Sequence, residues 1–392
     1  MKSTPAMTTR RRFLGASAAA LGVPFAMRGN AGQGNIRQLG VQTLAALLND
    51  VRAALPEGLN AANSRMLPVG GQLHYCGAVI WRNLYSLGVS GGHSGSYDDG
   101  HYAQDLKTAK WQVLLPPSSA GSPSKAADLH GEWLPGRPAA QHSGNHLVVV
   151  GDDIVQAHGY SIGFNASGSR QAHVWSGGAW RRYGTLSGAV PNSVAHCFHD
   201  PVRKRIVRIP GPQNSNVVDL VAADNAQSAW STVALPNSAL APADIYSSVG
   251  YHPALDCYVL ISPHDFTPRT QVYVMDAGKL ASGWTPVRAS GTEIANCVWP
   301  GMEYVPPMDC FAIVDQLKPD TLYYLHPTGG RTDPWVWTQE SFASTFKPAL
   351  WDNGNYAGPQ SRLRWSSMLH ALVAVKSPVS PTEIFVPTKL GK

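Results

Sequence analysis

The chain has 392 residues, a formal net charge of +6, 14% charged residues, 38 Gly and 30 Pro. Lys2, Arg10, Arg11, Arg12 and Arg28 all fall in the first 31 positions, where no acid occurs, so the remainder carries only +1. That balance lacks the basic face of a nucleic-acid binder, and a chain so poor in charge and rich in Gly and Pro builds short strands and tight turns rather than solvated helices.

Residues Thr8 to Leu14 read T-T-R-R-R-F-L and lead into the apolar run Gly15–Met27 and the small-residue stretch Gly29-Asn30-Ala31. A basic start, a short apolar core and a small-residue exit form a cleavable export signal, and the paired arginines mark the twin-arginine version. The run is shorter than the roughly 20 residues of a permanent spanning helix, and no later stretch is apolar enough for stable membrane insertion. The expected location is the periplasm or the extracellular space, reached by the twin-arginine route. The five cysteines (Cys76, Cys197, Cys257, Cys297 and Cys310) are an odd number. A route that carries folded proteins out of a reducing cytoplasm argues against a fold that depends on disulfides.

From residue 35 to 55, Leu39, Leu44, Leu47, Leu48, Val51 and Leu55 recur at helical spacing and predict one amphipathic helix ending near Pro56-Glu57-Gly58. Two sheet units follow. Residues 72–115 offer strands Cys76–Ile80, Asn83–Val89 and His101–Leu106 before Trp111; residues 139–183 offer Gly144–Val149, Asp153–Ala157 and Gln171–Trp175 before Trp180. Three more units repeat visibly: Phe198-His199-Asp200-Pro201, Tyr251-His252-Pro253 and Tyr304-Val305-Pro306 open hairpins whose aromatics lie 53 residues apart, and Trp230, Trp284 and Trp337 close them. A last unit, Leu363–Met368, Ala371–Val375 and Thr382–Val386, lacks an outer strand. A four-strand unit recurring every 40–50 residues or so predicts an all-β propeller. Six blades are expected, or seven if residues 339–361 hide a degenerate unit. Open sheet edges invite aggregation, so the missing strand is assigned to the N-terminal side, around Asn63–Val69. The layout is then a signal over 1–31, a helix and closing strand over 32–70, and the propeller over 71–392.

Gly91-Gly92-His93, followed by Tyr102, Asp105-Leu106 and Trp111, resembles a kelch repeat, in which the double glycine lets strands crowd near the axis and the Trp packs between blades. Gln141-His142-Ser143-Gly144-Asn145 and Arg364-Trp365 add a resemblance to bacterial exported kelch-like proteins, over roughly residues 72–389. The double glycine becomes Ala157-His158-Gly159 in the second unit and is absent from the third onward. The resemblance implies a kelch-like propeller and no particular activity, because propellers host many functions.

In such a blade the loop after the second strand and the loop between blades open on one face. These loops carry His93, Tyr97, Asp98, Asp99 and His101, then His158, Tyr160, His264 and Arg269, with Trp133, Arg137, His142, Trp299, Arg362 and Arg364 between blades. Imidazoles, phenols and guanidiniums with few carboxylates suit an acidic sugar. Arg364 would clamp a uronate carboxylate, His142 would act as base and Tyr160 as acid, giving the β-elimination of a polysaccharide lyase. His93, Tyr97, Arg137, His158, His264, Arg269 and Trp299 would bind the substrate. The rival reading is a non-catalytic envelope protein that binds a partner, or serves as a scaffold, through the same face. Hydrolysis by facing carboxylates is left with Asp98, Asp99 and Asp265.

No cofactor is expected. His142 and His146 lie too far apart along a strand to share an ion, and His196 and His199 would point to opposite faces. A metal held between blades by His93, His158 and His264 stays open. Gly159-Tyr160-Ser161-Ile162-Gly163 fits the nucleophile elbow of esterases, but a polar loop follows it where that motif needs a helix. The expected partner is carbohydrate or another small or polymeric ligand, held by a monomer.

Overall fold

Apolar runs of four to seven residues, broken by Pro, Asp and Gly, leave the chain little choice but antiparallel hairpins. The computed structural model describes residues 34–54, 73, 76–89, 98–118, 128, 130–141, 144–157, 171–185, 195–210, 217–225, 228–236, 247–262, 270–292, 294, 300–314, 318–351 and 361–390. Six sheets, each with four neighbouring antiparallel strands at its heart, form the blades; in five of them the four strands are consecutive in the chain. Blade 1 runs from its inner strand Ala78–Trp81 to Trp111–Leu115, blade 2 from Leu147–Val150 to Ala179–Thr185, and blade 3 from Ala195–Asp200 to Ser231–Ala234. Blade 4 runs from Ser248–His252 to Thr285–Val287 and blade 5 from Gly301–Val305 to Trp335–Ser341. Blade 6 begins with Leu363–Ser366, Ala371–Ala374 and Thr382–Val386. Each inner strand touches the next around the circle, and the sixth touches the first. The chain is a six-bladed β-propeller.

The circle is closed from the N-terminal side. Asn35–Leu39 pairs antiparallel with the last strand, from Asn35 opposite Val386 to Leu39 opposite Thr382, and Ala343–Ser344 adds a parallel rung outside it. The closing strand expected around Asn63–Val69 lies outside the described residues, and Asn35–Leu39 fills its role. Glu340, on the outer strand of blade 5, holds both flanks of this pair. Its Oε1 accepts from the Gly34 N–H at 3.0 Å and the Thr388 N–H at 2.9 Å, and its Oε2 accepts from the Tyr324 hydroxyl. A Cβ on Gly34 would lie 2.6 Å from that Oε1 and from the Phe342 ring, so the grip needs glycine.

The predicted helix is therefore shorter than its leucine spacing suggests. It spans Leu44–Ala54, with Thr43 Oγ1 accepting from the Ala46 N–H as a cap. Leu39 fits the helical period but belongs to the strand, and Gly40, at φ +68°, turns the chain between them. Leu44, Leu47 and Leu48 pack on Tyr85, Tyr102 and Trp111 of blade 1 and on Val373 and Val375 nearby, so the helix seals the seam where blade 6 meets blade 1. It lies away from the axis. Among the described residues no helix is long and apolar enough to cross a membrane.

Every other seam has its own apolar cluster, most built on tryptophan. Trp175 and Trp180 fill blades 1/2, Trp230 fills 2/3, Trp284 fills 3/4, Trp335 and Trp337 fill 4/5, and Trp351 fills 5/6. The hairpin turns of blades 3 to 6 share a device: Lys204, Asp256, Asp309 and His370 sit at φ between +46° and +49°, each directly before the second strand. This common turn corrects the sequence alignment of blade 3 by one residue. His199, not Phe198, is the partner of Tyr251 and Tyr304, because Pro201, Pro253 and Pro306 open equivalent turns.

Ile36→Pro removes a backbone donor from a strand paired on both sides, and is expected to cost about 1–3 kcal/mol for the buried partner left unsatisfied. Thermal unfolding should fall by a few degrees and light scattering should show association of the freed edges. Val41→Ala, at an 88% exposed position just beyond the strand, should change neither.

Candidate functional site

The six inner strands surround an axial channel of about 360 Å³. The hairpin registers stack its lining in levels. One level holds His199, Tyr251, Tyr304 and Trp365, each one residue short of the last inner-strand pair; the next holds Phe198, Gly250, Glu303 and Arg364. Blades 1 and 2 complete the wall with Val79, Ile80, Val148 and Val149, and Asn145 stands where blade 2 begins. Phe198, His199, Tyr304 and Trp365 are partly buried, and Phe198, Tyr304 and Trp365 also pack against the apolar clusters of their seams.

Glu303 and Arg364 occupy equivalent positions in neighbouring strands, and that register brings them together. Arg364 Nη1 lies 2.8 Å from Glu303 Oε2, with the two side chains 15% and 22% exposed. Glu303 Oε1 accepts from the Trp365 N–H at 3.2 Å, and Arg364 Nε donates to the Ala78 carbonyl at 2.5 Å. The pair thus ties blades 5, 6 and 1 together at the axis. In the neighbouring blade 4 Gly250 is required: a Cβ there would lie 2.7 Å from the Phe311 ring.

The other polar groups are poor proton carriers. Burial, and then the hydrogen bond to Asp309 at 2.6 Å, raise the Tyr304 hydroxyl well above its ordinary range; Tyr251 is raised likewise beside Asp256. Desolvation lowers His199, so its imidazole is neutral at pH 7. Burial pushes the Cys197 thiol up to about 12, which leaves it unreactive.

Of the residues expected from the sequence, Arg364 lines this channel. Arg137 does not. Its Nη2 donates to the Asp99 carbonyl at 2.8 Å and the Pro116 carbonyl at 2.5 Å, and its Nε lies 2.9 Å from Asp99 Oδ2. It latches the hairpin of Glu132–Leu134 and Arg137–Pro138 onto blade 1, while Glu132 latches the same hairpin onto His173 and Arg182 of blade 2 at 2.8 Å each. His93, Tyr97, His142, His158, Tyr160, His264, Arg269 and Trp299 lie outside the described residues, as do Asp265 and the Ser161 elbow motif. Asp98 and Asp99 do not face each other as a hydrolytic pair. Asp98 accepts from Tyr102 and Gly100, and Asp99 from Ser118 and Arg137. His101 is buried against Ser86 at 2.7 Å and between Trp175 and Trp180.

His146 lies in a 3-10 turn, Gly144–His146, that precedes the inner strand of blade 2. The extended-strand distance invoked for His142 and His146 therefore does not apply. Among the described residues no group of three or more His, Cys, Asp or Glu is placed to hold a metal. Glu303, Tyr304, Phe198 and Trp365 were missed as site residues because all lie in strands. The available signal was a glutamate at a repeat position that holds Phe or Gly in the two preceding blades.

No protein-family model matches the chain, and no curated protein matches it. Solved structures do resemble it. A periplasmic gluconolactonase of Pseudomonas aeruginosa aligns over 74% of this chain and 76% of its own at 12% identity, TM-score 0.41. An auxiliary nutrient binding protein of Bacteroides ovatus aligns over 80% and 70% at 13% identity, TM-score 0.43. A protein of unknown function from Bacteroides thetaiotaomicron aligns over 80% and 70% at 12% identity, TM-score 0.44. Likeness at this level concerns architecture and carries no argument about activity.

Buried imidazoles make the fold acid-sensitive. Desolvation lowers His101 to about 3, and lowers His173 and His252 below their ordinary value. The folded protein then holds fewer protons than the unfolded chain below about pH 6.5, so stability falls as pH drops through that value. Burial alone would raise Glu132, but hydrogen bonds from Arg182, His173 and Gly136 hold it at about 2, which adds a further loss below its ordinary carboxylate range. The urea midpoint should decline steadily from pH 7 to pH 5. A flat profile across that window would contradict the burial of these neutral rings.

Proposed function

We propose that this is an exported propeller that binds carbohydrate, with a sugar ring seated in the axial channel. The observation that carries the reading is the lining of one cavity by partly buried aromatic side chains, Phe198, Tyr304 and Trp365, beside the polar pair Glu303–Arg364. Aromatic faces cover the apolar C–H face of a sugar, and a few fixed polar groups orient its hydroxyls. The twin-arginine signal over residues 1–31 would deliver the propeller folded, and the kelch-like pattern of Gly91-Gly92-His93 and Trp111 fits the same exported class.

Binding is favoured over elimination. A lyase needs Arg364 free to take the substrate carboxylate, with His142 and Tyr160 as base and acid, and Arg364 already holds Glu303. The same pairing favours a binding role over a purely structural scaffold only through the partly buried aromatic side chains that line the cavity beside it. Trp365→Ala should therefore weaken sugar binding about tenfold or more, since such a ring anchors a desolvated contact. Calorimetry against mono- and disaccharides checks this, and equal affinity in both proteins would remove the channel from the binding site. Polyuronates incubated with the protein should yield no unsaturated product by ultraviolet absorbance. A product formed by wild type and lost in His142→Ala would replace binding with lyase chemistry.

A further inference from the structure

The geometry points to a ligand class: we infer that the channel selects an uncharged sugar over the corresponding uronic acid. This rests on the carbohydrate reading of the channel and goes one step further, to the charge of the ligand.

Among the described residues the charges that line the channel cancel within it. Glu303 and Arg364 stand side by side at one level, 2.8 Å apart, and each has a second tie, to the Trp365 N–H and to the Ala78 carbonyl. Around them the other strands bring valines, Ile80, Gly250 and the Phe198 ring. The carboxylates at the tyrosine level are engaged too, Asp256 by Arg203 and Tyr251, Asp309 by Tyr304. Among the described residues a ligand anion entering here meets no unspent positive charge. At Arg364 it finds only the Nη2 hydrogens of a guanidinium whose charge Glu303 already offsets, and to take that guanidinium bidentately it must displace Glu303 and leave that carboxylate only 22% exposed and without its cation.

A hydroxyl faces no such exchange. It both donates and accepts, and it finds both kinds of partner without breaking the pair. Arg364 Nη2 keeps its hydrogens beyond the bonds made by Nε and Nη1, Glu303 keeps unused lone pairs, and Asn145 Oδ1 stays available while its Nδ2 bonds His196. The cavity of about 360 Å³ sits at the small end of ligand pockets, roughly 300–1,000 Å³. It suits one or two rings rather than a stretch of polymer.

The pair is therefore a selectivity device that one atom can invert. The folded protein would be titrated by calorimetry with methyl glucoside, methyl galactoside and methyl mannoside, and with the methyl uronide of each. Wild type should bind at least one neutral glycoside about tenfold or more tightly than its uronide. Glu303→Gln keeps the shape and one accepting oxygen, for the Trp365 N–H, while its uncharged amide frees the guanidinium, and should reverse that order. The double variant Glu303→Gln with Arg364→Met, neutral again, should restore the preference for the neutral sugar. If Glu303→Gln does not fold, salt decides on wild type alone, because only an anion's affinity falls as ionic strength rises. A uronide bound more tightly by wild type, an order unchanged in Glu303→Gln, or a salt-dependent affinity would overturn the inference and leave the carbohydrate reading standing. Binding of none of the six probes would overturn both.

Discussion

The five-residue pairing of Asn35–Leu39 with Thr382–Val386 is the constraint on which the rest of this molecule depends. A sheet that ends in water can fray or pair with another chain, and a ring with one open joint has two such edges and no fixed axis. Closure across nearly the whole chain also carries a loop-entropy cost that only a cooperative contact can offset. Here the backbone ladder is reinforced in three ways. Glu340 grips Gly34 and Thr388 at its two flanks. Ala343–Ser344 covers its outer side. The helix Leu44–Ala54 drives leucines into the seam beside it. The axial channel exists only because this joint holds six inner strands at a common radius.

Ion pairs elsewhere in the molecule act as staples within or between blades. Arg208 and Asp219 are 2.6 Å apart and buried in blade 3, Arg203 bridges from blade 3 to Asp256 of blade 4, and Glu132 binds the hairpin to blade 2. Such pairs add little net stability once desolvation is counted, yet losing one partner is costly. They fix which blade meets which. Glu303–Arg364 follows the same rule, tying blades 5, 6 and 1, but it does so in the wall of a cavity. A structural staple and a recognition element are here the same two side chains.

Much of this architecture was legible in the chain. The Pro-turn hairpins and the recurrent tryptophans gave the blade count, because seam packing and hairpin turns are local demands repeated in every unit. The closing strand was not legible. Leu39 satisfies a helical period with Leu44, Leu47 and Leu48, and only Gly40 marks the break, while the strand's partner lies at the far end of the sequence. The one-residue slip at Phe198 and His199 has a similar cause. Both are aromatic or imidazole rings, and hydrophobic pattern alone cannot choose between them. The turn can, because the positive φ at Lys204 and Asp256 sets which residue precedes the second strand. Site residues were sought in loops, whereas the described cavity is walled by strands. Arg364 was reached as a residue of the connection between blades, which runs into the inner strand Leu363–Ser366; Glu303 passed unnoticed because its meaning comes from the neighbouring blade.

That last point bears on how a propeller acquires function at all. Perfect repetition would place one residue type at each level of the channel, and its charge or shape would be multiplied around the axis. Six arginines would repel one another, and six bulky rings would fill the space. A site therefore requires that equivalent positions diverge. At one level this chain places Phe198, Gly250, Glu303 and Arg364 in four successive blades, a ring, a gap, a negative charge and its counter-charge. Gly250 makes room for Phe311 to pack between blades, and the charged pair sits where the next two blades meet. The outer strands keep the repeat because seams need it, and the inner strands give it up where the axis can hold a ligand. Departures from the repeat, more than the repeat itself, mark the chemistry of the fold.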